Sequence, residues 1–443
     1  MSAEAPTEDR ATSHSAVQYG LFDTPTEERP TDRPTSFDDN LRLPVHNWFR
    51  YSAGFSALWV RDVLARSRSE GRCRVLDPFA GSGTVPLEAE RAGMEGVGVE
   101  AHPFVFRVAA AKLAWRSSAR ELETAAGRAL DSARHGVAST ADLPPLLARC
   151  FDPAVLPRLL SLRDAVGALL DTGDTGELTW LAFVSIVREC TSVGAAQWQY
   201  VLPNKPRVSW SDPFEAFIAK ARRMAGDMRD RQGSIPHAPP ALVLRHDARE
   251  PAPIAEAWAD VVLTSPPYLN NYDYADATRL EMTVLGEVSS WADLQNAVRV
   301  HLARSCTQHV ARLVATTGEL IDEEPVAPIR PELQTVCAAL EAERHLHGGR
   351  KPYHTLVAAY FVDMANVWAA LRTVVAPGAV VCWVIGDSAP YGIHVPVERW
   401  LGELALAAGF GSYRFEKTRD RNTRWRNRKH KVPLHEGRLW VEG

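Results

Sequence analysis

The sequence lacks the features that mark membrane, metal-binding and disulfide-rich proteins. It has no apolar run near the ~20 residues of a membrane span, and it begins with polar residues rather than with a basic and then an apolar segment. We therefore expect a cytoplasmic protein without membrane contact. The six cysteines form no CxxC pair and no cluster with histidine, which argues against a metal site and against a disulfide framework.

Neither sign of charge dominates, because the formal net charge is only −4. Affinity for nucleic acid depends on cations that meet phosphates, so any such signal must be local. One lies in residues 414–431, where nine Lys and Arg stand against Glu416 and Asp420. The interleaved Phe415 and Trp425 favour a loop between two strands that lines a groove, and a solvated basic tail is the alternative. The candidate DNA contacts are Arg421, Arg424, Arg426, Arg428, Lys429 and Lys431.

The chain divides into segments of different character. Residues 1–40 have few large apolar side chains, which predicts a disordered tail. From about residue 74, a strand, a Gly-rich turn, a helix and a second strand form a βαβ unit. Residues 116–239 and 277–350 show helical periodicity and are read as two helical insertions. We expect one α/β catalytic domain, formed by residues 41–115 and 240–443. The first insertion, the second insertion or both are candidate target-reading regions.

The turn after the first strand of the βαβ unit fits a ligand site. In an open α/β sheet the ligand sits beyond the carboxyl ends of the strands, and glycines let the backbone approach it. The string DPFAGSGT, residues 77–84, has this form without being GxGxxG, so a dinucleotide is a poor candidate. Glu100 ends the second strand, where its carboxylate can accept hydrogen bonds from two ribose hydroxyls.

DPFAGSGT resembles the S-adenosylmethionine (AdoMet) motif of the DNA amino-methyltransferases, which make N4-methylcytosine and N6-methyladenine. The resemblance implies a Rossmann-like sheet with helices on both faces. It also implies that Asp77, Phe79 and Gly81 border the methionine part of AdoMet, that Glu100 holds the ribose, and that Asp247 lies near the adenine. Residues 46–55 resemble the segment that covers the methionine end. The remaining candidate cofactor residues are Tyr51, Phe55, Pro78, Ser82, Gly83, Thr84, Ala101 and Thr264.

A second motif, TSPPY at residues 264–268, carries the candidate catalytic residues. Methylation of an amino nitrogen needs a base out of the stack and acceptors for the amino hydrogens. Ser265 offers a side-chain oxygen, Pro266 leads a stiff Pro266-Pro267 turn with a free carbonyl, and Tyr268 offers a face for stacking. TSPPY resembles the catalytic motif of the same family. The alternative is a purely structural role, because Pro-Pro turns commonly end strands.

Several alternatives stay open at the level of function. In the family, Ser at the position of Ser265 mostly accompanies cytosine N4, so this base is favoured over adenine N6. An RNA methyltransferase is a further alternative, as is a catalytically silent DNA-binding subunit. Double-stranded DNA is the expected partner, and a restriction or defence partner is possible. Residues Gln18 to Phe22, QYGLF, resemble the pentapeptide with which bacterial proteins bind the sliding clamp, although chance explains five residues equally well.

Overall fold

The fold is known from a computed structural model that describes residues 37–51, 54, 56–136, 138–195, 201–421 and 432–443. The candidate clamp peptide, the candidate cofactor residue Phe55 and the basic residues Arg424, Arg426, Arg428, Lys429 and Lys431 lie outside these ranges. Within them, no helix is both long enough and apolar enough to cross a membrane.

The strands of the described ranges form one large sheet and one hairpin. In chain order they are β1 Arg74–Asp77, β2 Glu95–Val99, β3 Val193–Ala195, β4 Val201–Pro206, β5 Leu242–Leu244, β6 Ala259–Thr264, β7 Val375–Gly386, β8 Ser412–Arg421 and β9 Leu434–Glu442.

The helices of the described ranges surround this sheet and fill the insertions. They are α1 Ala57–Ser69, α2 Thr84–Arg91, α3 Pro103–Leu113, α4 Ala119–His135, α5 Pro145–Cys150, α6 Leu156–Gly167, α7 Asp174–Ile186, α8 Pro213–Ser234, α9 Tyr274–Ala277, α10 Arg279–Leu285, α11 Leu294–Ala297, α12 Thr307–Val310, α13 Thr317–Asp322, α14 Arg330–Leu346, α15 Tyr353–Val374 and α16 Val397–Ala407.

The large sheet has the strand order β5-β2-β1-β6-β7-β9-β8. Neighbouring strands are parallel except for β9, which is antiparallel to both β7 and β8. The chain moves outward from β1 through β2 to β5 and then crosses to β6 on the other side. The order therefore reverses between β1 and β6, and in open α/β sheets ligands bind in the crevice at such a reversal.

Helices cover both faces of the sheet, because alternate side chains of each strand point to opposite faces. The face towards α1 and α2 consists of Val75, Val261, Leu263, Cys382 and Val384. The face towards α15 and α16 includes Leu76, Val262, Val381 and Trp383, and Trp383 stacks on Trp368 of α15 at 3.9 Å between ring centroids. The Rossmann-like fold expected from the sequence is confirmed.

A separate helical lobe is built mainly from α3 to α8, which share one apolar core. The sequence indicated helices alone in this region, but the structure adds the antiparallel hairpin β3–β4. Its first strand has only three residues, and β4 contains two prolines, so neither shows the alternating pattern that predicts a strand. Arg188, just after α7, donates to Glu281 of α10 at 2.5 Å and ties the lobe to the segment that follows TSPPY.

Candidate functional site

The two sequence motifs meet at the carboxyl ends of β1 and β6. Thr264 ends β6, and its hydroxyl donates to Oδ1 of Asp77, the last residue of β1, at 2.6 Å. The backbone N–H of Phe79 donates to the same oxygen at 3.0 Å. Burial raises the pKa of Asp77 to about 7, although both hydrogen bonds favour the charged form. Asp77 thus joins the Gly-rich turn to the catalytic turn.

The glycines of the turn keep its backbone open to a ligand. Gly81 and Gly83 have φ values of 53° and 86°, which L side chains rarely adopt. A Cβ on Gly81 would lie 3.2 Å from Cε1 of Tyr51, closer than almost all real contacts of this kind. The ring of Tyr51 therefore covers the turn, and a Cβ at position 81 would require this ring to shift by a few tenths of an ångström.

Glu100, directly after β2, is oriented by backbone donors. Gly81 N–H donates to Oε2 and His102 N–H donates to Oε1, each at 2.8 Å. An ionised carboxylate has about four lone-pair sites, so both oxygens can still accept hydroxyl donors. Burial raises the pKa of Glu100 to about 7.

Asp247 follows β5 and forms an ion pair with a near neighbour in the chain. Arg249 donates to it from Nε at 2.9 Å and from Nη2 at 2.5 Å. Asp247 is half-buried and lies in the wall of a cavity, where it can accept one further hydrogen bond from a ligand.

These residues line one cavity of about 640 Å³, counted with its open mouth. Nine of its residues were predicted from sequence: Tyr51, Pro78, Phe79, Gly81, Glu100, Ala101, Asp247, Ser265 and Pro267. Candidate cofactor and catalytic residues thus share one space.

The other predicted residues do not line this cavity. They are Asp77, Ser82, Gly83, Thr84, Thr264, Pro266 and Tyr268, and Asp77, predicted to border the methionine part, is buried behind the lining with 1% exposure. Thr84 begins α2, Thr264 binds Asp77, and Pro266 is buried beneath the turn. Sequence reasoning missed Val99, His102, Ala248, Tyr274, His301, Leu302 and Ala303. His102 and Tyr274 stand close to the two motifs and could have been found from that proximity, whereas residues 301–303 lie in the second insertion without any motif.

The catalytic turn is fixed by contacts with β7 and β8. The Ser265 hydroxyl donates to the Val384 carbonyl at 3.2 Å. The Arg421 guanidinium lies 5.0 Å from the centroid of the Tyr268 ring and donates to the Asp387 carbonyl at 3.0 Å. Burial raises the pKa of Tyr268, so the phenol is neutral near pH 7. Arg421, the first of the candidate DNA contacts, therefore lies beside the catalytic motif.

One group of potential metal ligands exists in the described part of the chain, but it does not suit a metal. Asp273, Cys306 and His309 have ligand atoms within 4.8 Å of one another. Arg299 donates to Asp273 from Nη2 at 2.6 Å and from Nε at 3.1 Å. Burial raises the pKa of the Cys306 thiol to about 12, which keeps it protonated. The group is a buried ion pair with a neighbouring thiol and imidazole.

The chain is similar to Type II methyltransferase M.BsoBI of Geobacillus stearothermophilus, with 23% identity over 414 residues. The similarity covers 85% of this chain and 80% of that relative. Two Type II methyltransferases named M.AvaI, from Nostoc sp. and Anabaena variabilis, are 35% identical over 68 residues, which is 15% of this chain and 14% of each relative. No family model and no solved structure matches. The relatives support a methyltransferase that uses a methyl donor of the AdoMet type.

Proposed function

We propose that the protein transfers a methyl group from AdoMet to the exocyclic amino group of a flipped base in double-stranded DNA. The observation that carries the proposal is the shared cavity: Ser265 and Pro267 line the same space as Gly81, Glu100 and Asp247. A methyl donor bound by the last three residues would therefore stand next to the catalytic turn.

The cofactor side of the cavity fits AdoMet by the chemistry of its donors and acceptors. Glu100 accepts both ribose hydroxyls, and Asp247 accepts from the adenine amino group. The open backbone at Gly81, under Tyr51, leaves room for the methionine part. When bound, AdoMet supplies an electrophilic methyl group on its sulfonium sulfur.

The catalytic turn orients the amino group that receives the methyl. Ser265 Oγ accepts one amino hydrogen from within the cavity lining, and the carbonyl of Pro266, a buried residue just behind that lining, is the proposed acceptor of the second. Together they turn the nitrogen lone pair towards the methyl carbon. Held in this way, the amino nitrogen would accept the methyl group and release one proton to solvent. Tyr268 provides the ring on which the flipped base stacks, and the Arg421 guanidinium lies over one face of this ring.

DNA would approach from the carboxyl edge of the sheet. β8 ends at this edge with Arg421, and β9 begins there with Leu434, because β8 is parallel to β7 and β9 is antiparallel to both. Residues 422–431 connect these two ends. Their cations, Arg424, Arg426, Arg428, Lys429 and Lys431, are proposed to contact phosphates beside the flipped base.

Cytosine N4 is the proposed target atom, and adenine N6 is the alternative. The choice rests on Ser265, the neutral hydroxyl that opens the SPPY tetrapeptide. Both amino groups need the same polarisation, so the shape of the pocket around Tyr268 also contributes to selection.

The test is transfer of label from AdoMet to DNA and to RNA, followed by mass spectrometry of the nucleosides. We expect N4-methylcytosine in double-stranded DNA. N6-methyladenine alone would move the target to adenine, label in RNA alone would favour an RNA methyltransferase, and no transfer despite AdoMet and DNA binding would favour a silent DNA-binding subunit.

A further inference from the structure

One wall of the cofactor cavity comes from a part of the chain that carries no recognisable motif. His301, Leu302 and Ala303 line the cavity from within the second helical insertion. The next residue, Arg304, binds Asp363 with its backbone N–H at 2.7 Å and with its guanidinium at 3.0 Å from Nε and 2.6 Å from Nη2. The wall is therefore anchored by a single carboxylate.

The same carboxylate also reaches the opposite, adenine side of the cavity. Nη1 of Arg249 lies 3.4 Å from both oxygens of Asp363, while the rest of its guanidinium binds Asp247. Two carboxylates and two guanidinium groups thus alternate from Asp247 through Arg249 and Asp363 to Arg304, and their charges cancel. Asp247 and the wall at 301–303 are held to one common point.

That common point is rigid. Asp363 is 1% exposed and lies in the middle of α15, a 22-residue helix that is buried on nearly all sides. A buried carboxylate keeps its charge only where cations and hydrogen-bond donors surround it. Without the charge of Asp363, Arg249 and Arg304 would be neighbouring cations, and only Asp247, on the other side of Arg249, would offset their charge. Asp247 and the wall at residues 301–303 would then lose their link.

We propose that Asp363 is a positioning residue for the cofactor: it sets the distance between Asp247 and the wall at residues 301–303 and so shapes the adenine end of the cavity. The inference rests on the proposed function, since it takes AdoMet as the ligand. Asp363 itself does not line the cavity, so its effect on the ligand passes through Arg249 and Arg304.

The experiment measures AdoMet binding to the full chain by calorimetry for the parent and for Asp363→Asn, which keeps the size of the side chain and removes its charge. We expect AdoMet affinity to fall by about tenfold or more, in line with the cost of misplacing binding groups by a fraction of an ångström. The KM for AdoMet should rise in parallel. The kcat at saturating AdoMet and the KM for DNA should stay within about twofold, whereas loss of folded protein alone would lower kcat and leave KM unchanged.

Asp260→Asn is the matched control. Asp260 also pairs with an arginine, since Arg74 Nη2 lies 2.9 Å from its Oδ1, but this pair stands at the amino edge of the sheet, away from the cavity. AdoMet affinity of this variant should stay within about twofold of the parent. A similar loss in both variants would overturn the proposal, because any broken ion pair would then have the same effect.

The other results of the Asp363→Asn experiment also test the role of Asp363. Parent-like AdoMet affinity in Asp363→Asn would overturn the inference while leaving the proposed function intact. If that variant does not fold, Arg304→Gln replaces it, since Arg304 is 20% exposed and its backbone bond to Asp363 survives the change. Weaker AdoMet binding in Arg304→Gln supports the proposal, and unchanged binding overturns it. A parent protein that does not bind AdoMet would fail the proposed function itself.

Discussion

Ser265 is the residue on which the proposed chemistry depends most directly. Its hydroxyl donates to the Val384 carbonyl at 3.2 Å, and in this arrangement the hydroxyl oxygen is free to accept a hydrogen bond. It lines the cavity that also holds Glu100 and Asp247. An amino group placed there would find an acceptor already oriented by the strand behind it, and this orientation costs nothing during the reaction.

Ser265→Ala should therefore lower kcat by about 10²–10³-fold, the usual effect of losing one positioned hydrogen bond in the transition state. AdoMet affinity, measured by calorimetry, should not change. Ser412→Ala is the control, because Ser412 donates to Glu442 where β8 begins, at the amino edge of the sheet. Full turnover in Ser265→Ala would remove this serine from the catalytic role.

Single residues also show how far the sequence allows prediction. Asp77, Gly81 and Glu100 stand in a short local motif, and the chain that surrounds them largely determines their geometry. Asp363 has no such motif. Its partners are 59 and 114 positions away in the chain, so nothing near it in the sequence points to the cavity.

At the scale of elements, the antiparallel pair β8–β9 fixes the positions of Arg421 and Leu434, which flank the basic segment in the chain. Composition predicted a loop between two strands in this region, and both strands are present. What composition could not provide is the sheet order, in which β9 inserts between β7 and β8. That order brings Arg421, the last residue of β8, to within 5.0 Å of the centroid of the Tyr268 ring.

Replacing Arg424, Arg426 and Arg428 together by Gln should weaken DNA binding for all sequences, because phosphate contacts carry no base information. The slope of log K against log salt should become shallower by about 2–3, since each lost phosphate contact contributes ~0.9. Titrations at several salt concentrations measure both quantities, and AdoMet affinity should be unchanged.

The control for the basic segment removes the same number of charges elsewhere. Arg66, Arg68 and Arg72 lie between the last turn of α1 and the start of β1, at the amino edge of the sheet and outside both helical insertions. Their replacement by Gln should leave the salt slope as in the parent. A parent-like slope for the variant of residues 424, 426 and 428 would exclude this segment from the DNA interface.

The sequence did not predict the elements that lack a hydrophobic periodicity, namely the hairpin β3–β4 and the wall at residues 301–303. The hairpin β3–β4 is short and rich in proline, so its strands lack the alternation of a half-buried strand. The wall at residues 301–303 begins with His301, the last residue of the 3₁₀ turn Arg299–His301, and lies between short helices. Tertiary contacts rather than local propensity place both segments, and a periodic pattern does not report such contacts.

At the scale of the whole molecule, the fold concentrates buried acids at one edge of the sheet. Asp77 and Glu100 lie at the ends of neighbouring strands, and burial raises the pKa of each to about 7. Carboxyl groups in unfolded chains titrate near ~4. The folded protein thus binds more protons than the unfolded chain between these values, and the stabilisation is complete below pH ~4 and is lost as the pH rises through about 7.

Ligand binding should follow the opposite trend. A ribose that donates two hydroxyls favours the charged form of Glu100, so AdoMet affinity should increase as the pH rises through about 7. Between pH 6 and pH 8 we expect a gain of about tenfold, because roughly a tenth of a group with this pKa is ionised one unit below it. Calorimetry at both values measures the gain.

The two trends together make a prediction for the stability of the molecule as a whole. From pH 6 to pH 8 the free protein should lose part of its unfolding free energy, while the increase in melting temperature caused by a fixed AdoMet concentration should grow, because ligand stabilisation follows the ratio of concentration to Kd. Thermal melts with and without AdoMet test both statements.

Glu100→Gln separates this carboxyl from other titrating groups, because its amide does not ionise. Without AdoMet, the variant should lose less unfolding free energy between pH 6 and pH 8 than the parent, and the melting-temperature increase caused by AdoMet should depend less on pH. Parent and variant with identical pH profiles would show that Glu100 is not the group that links protons to the cofactor.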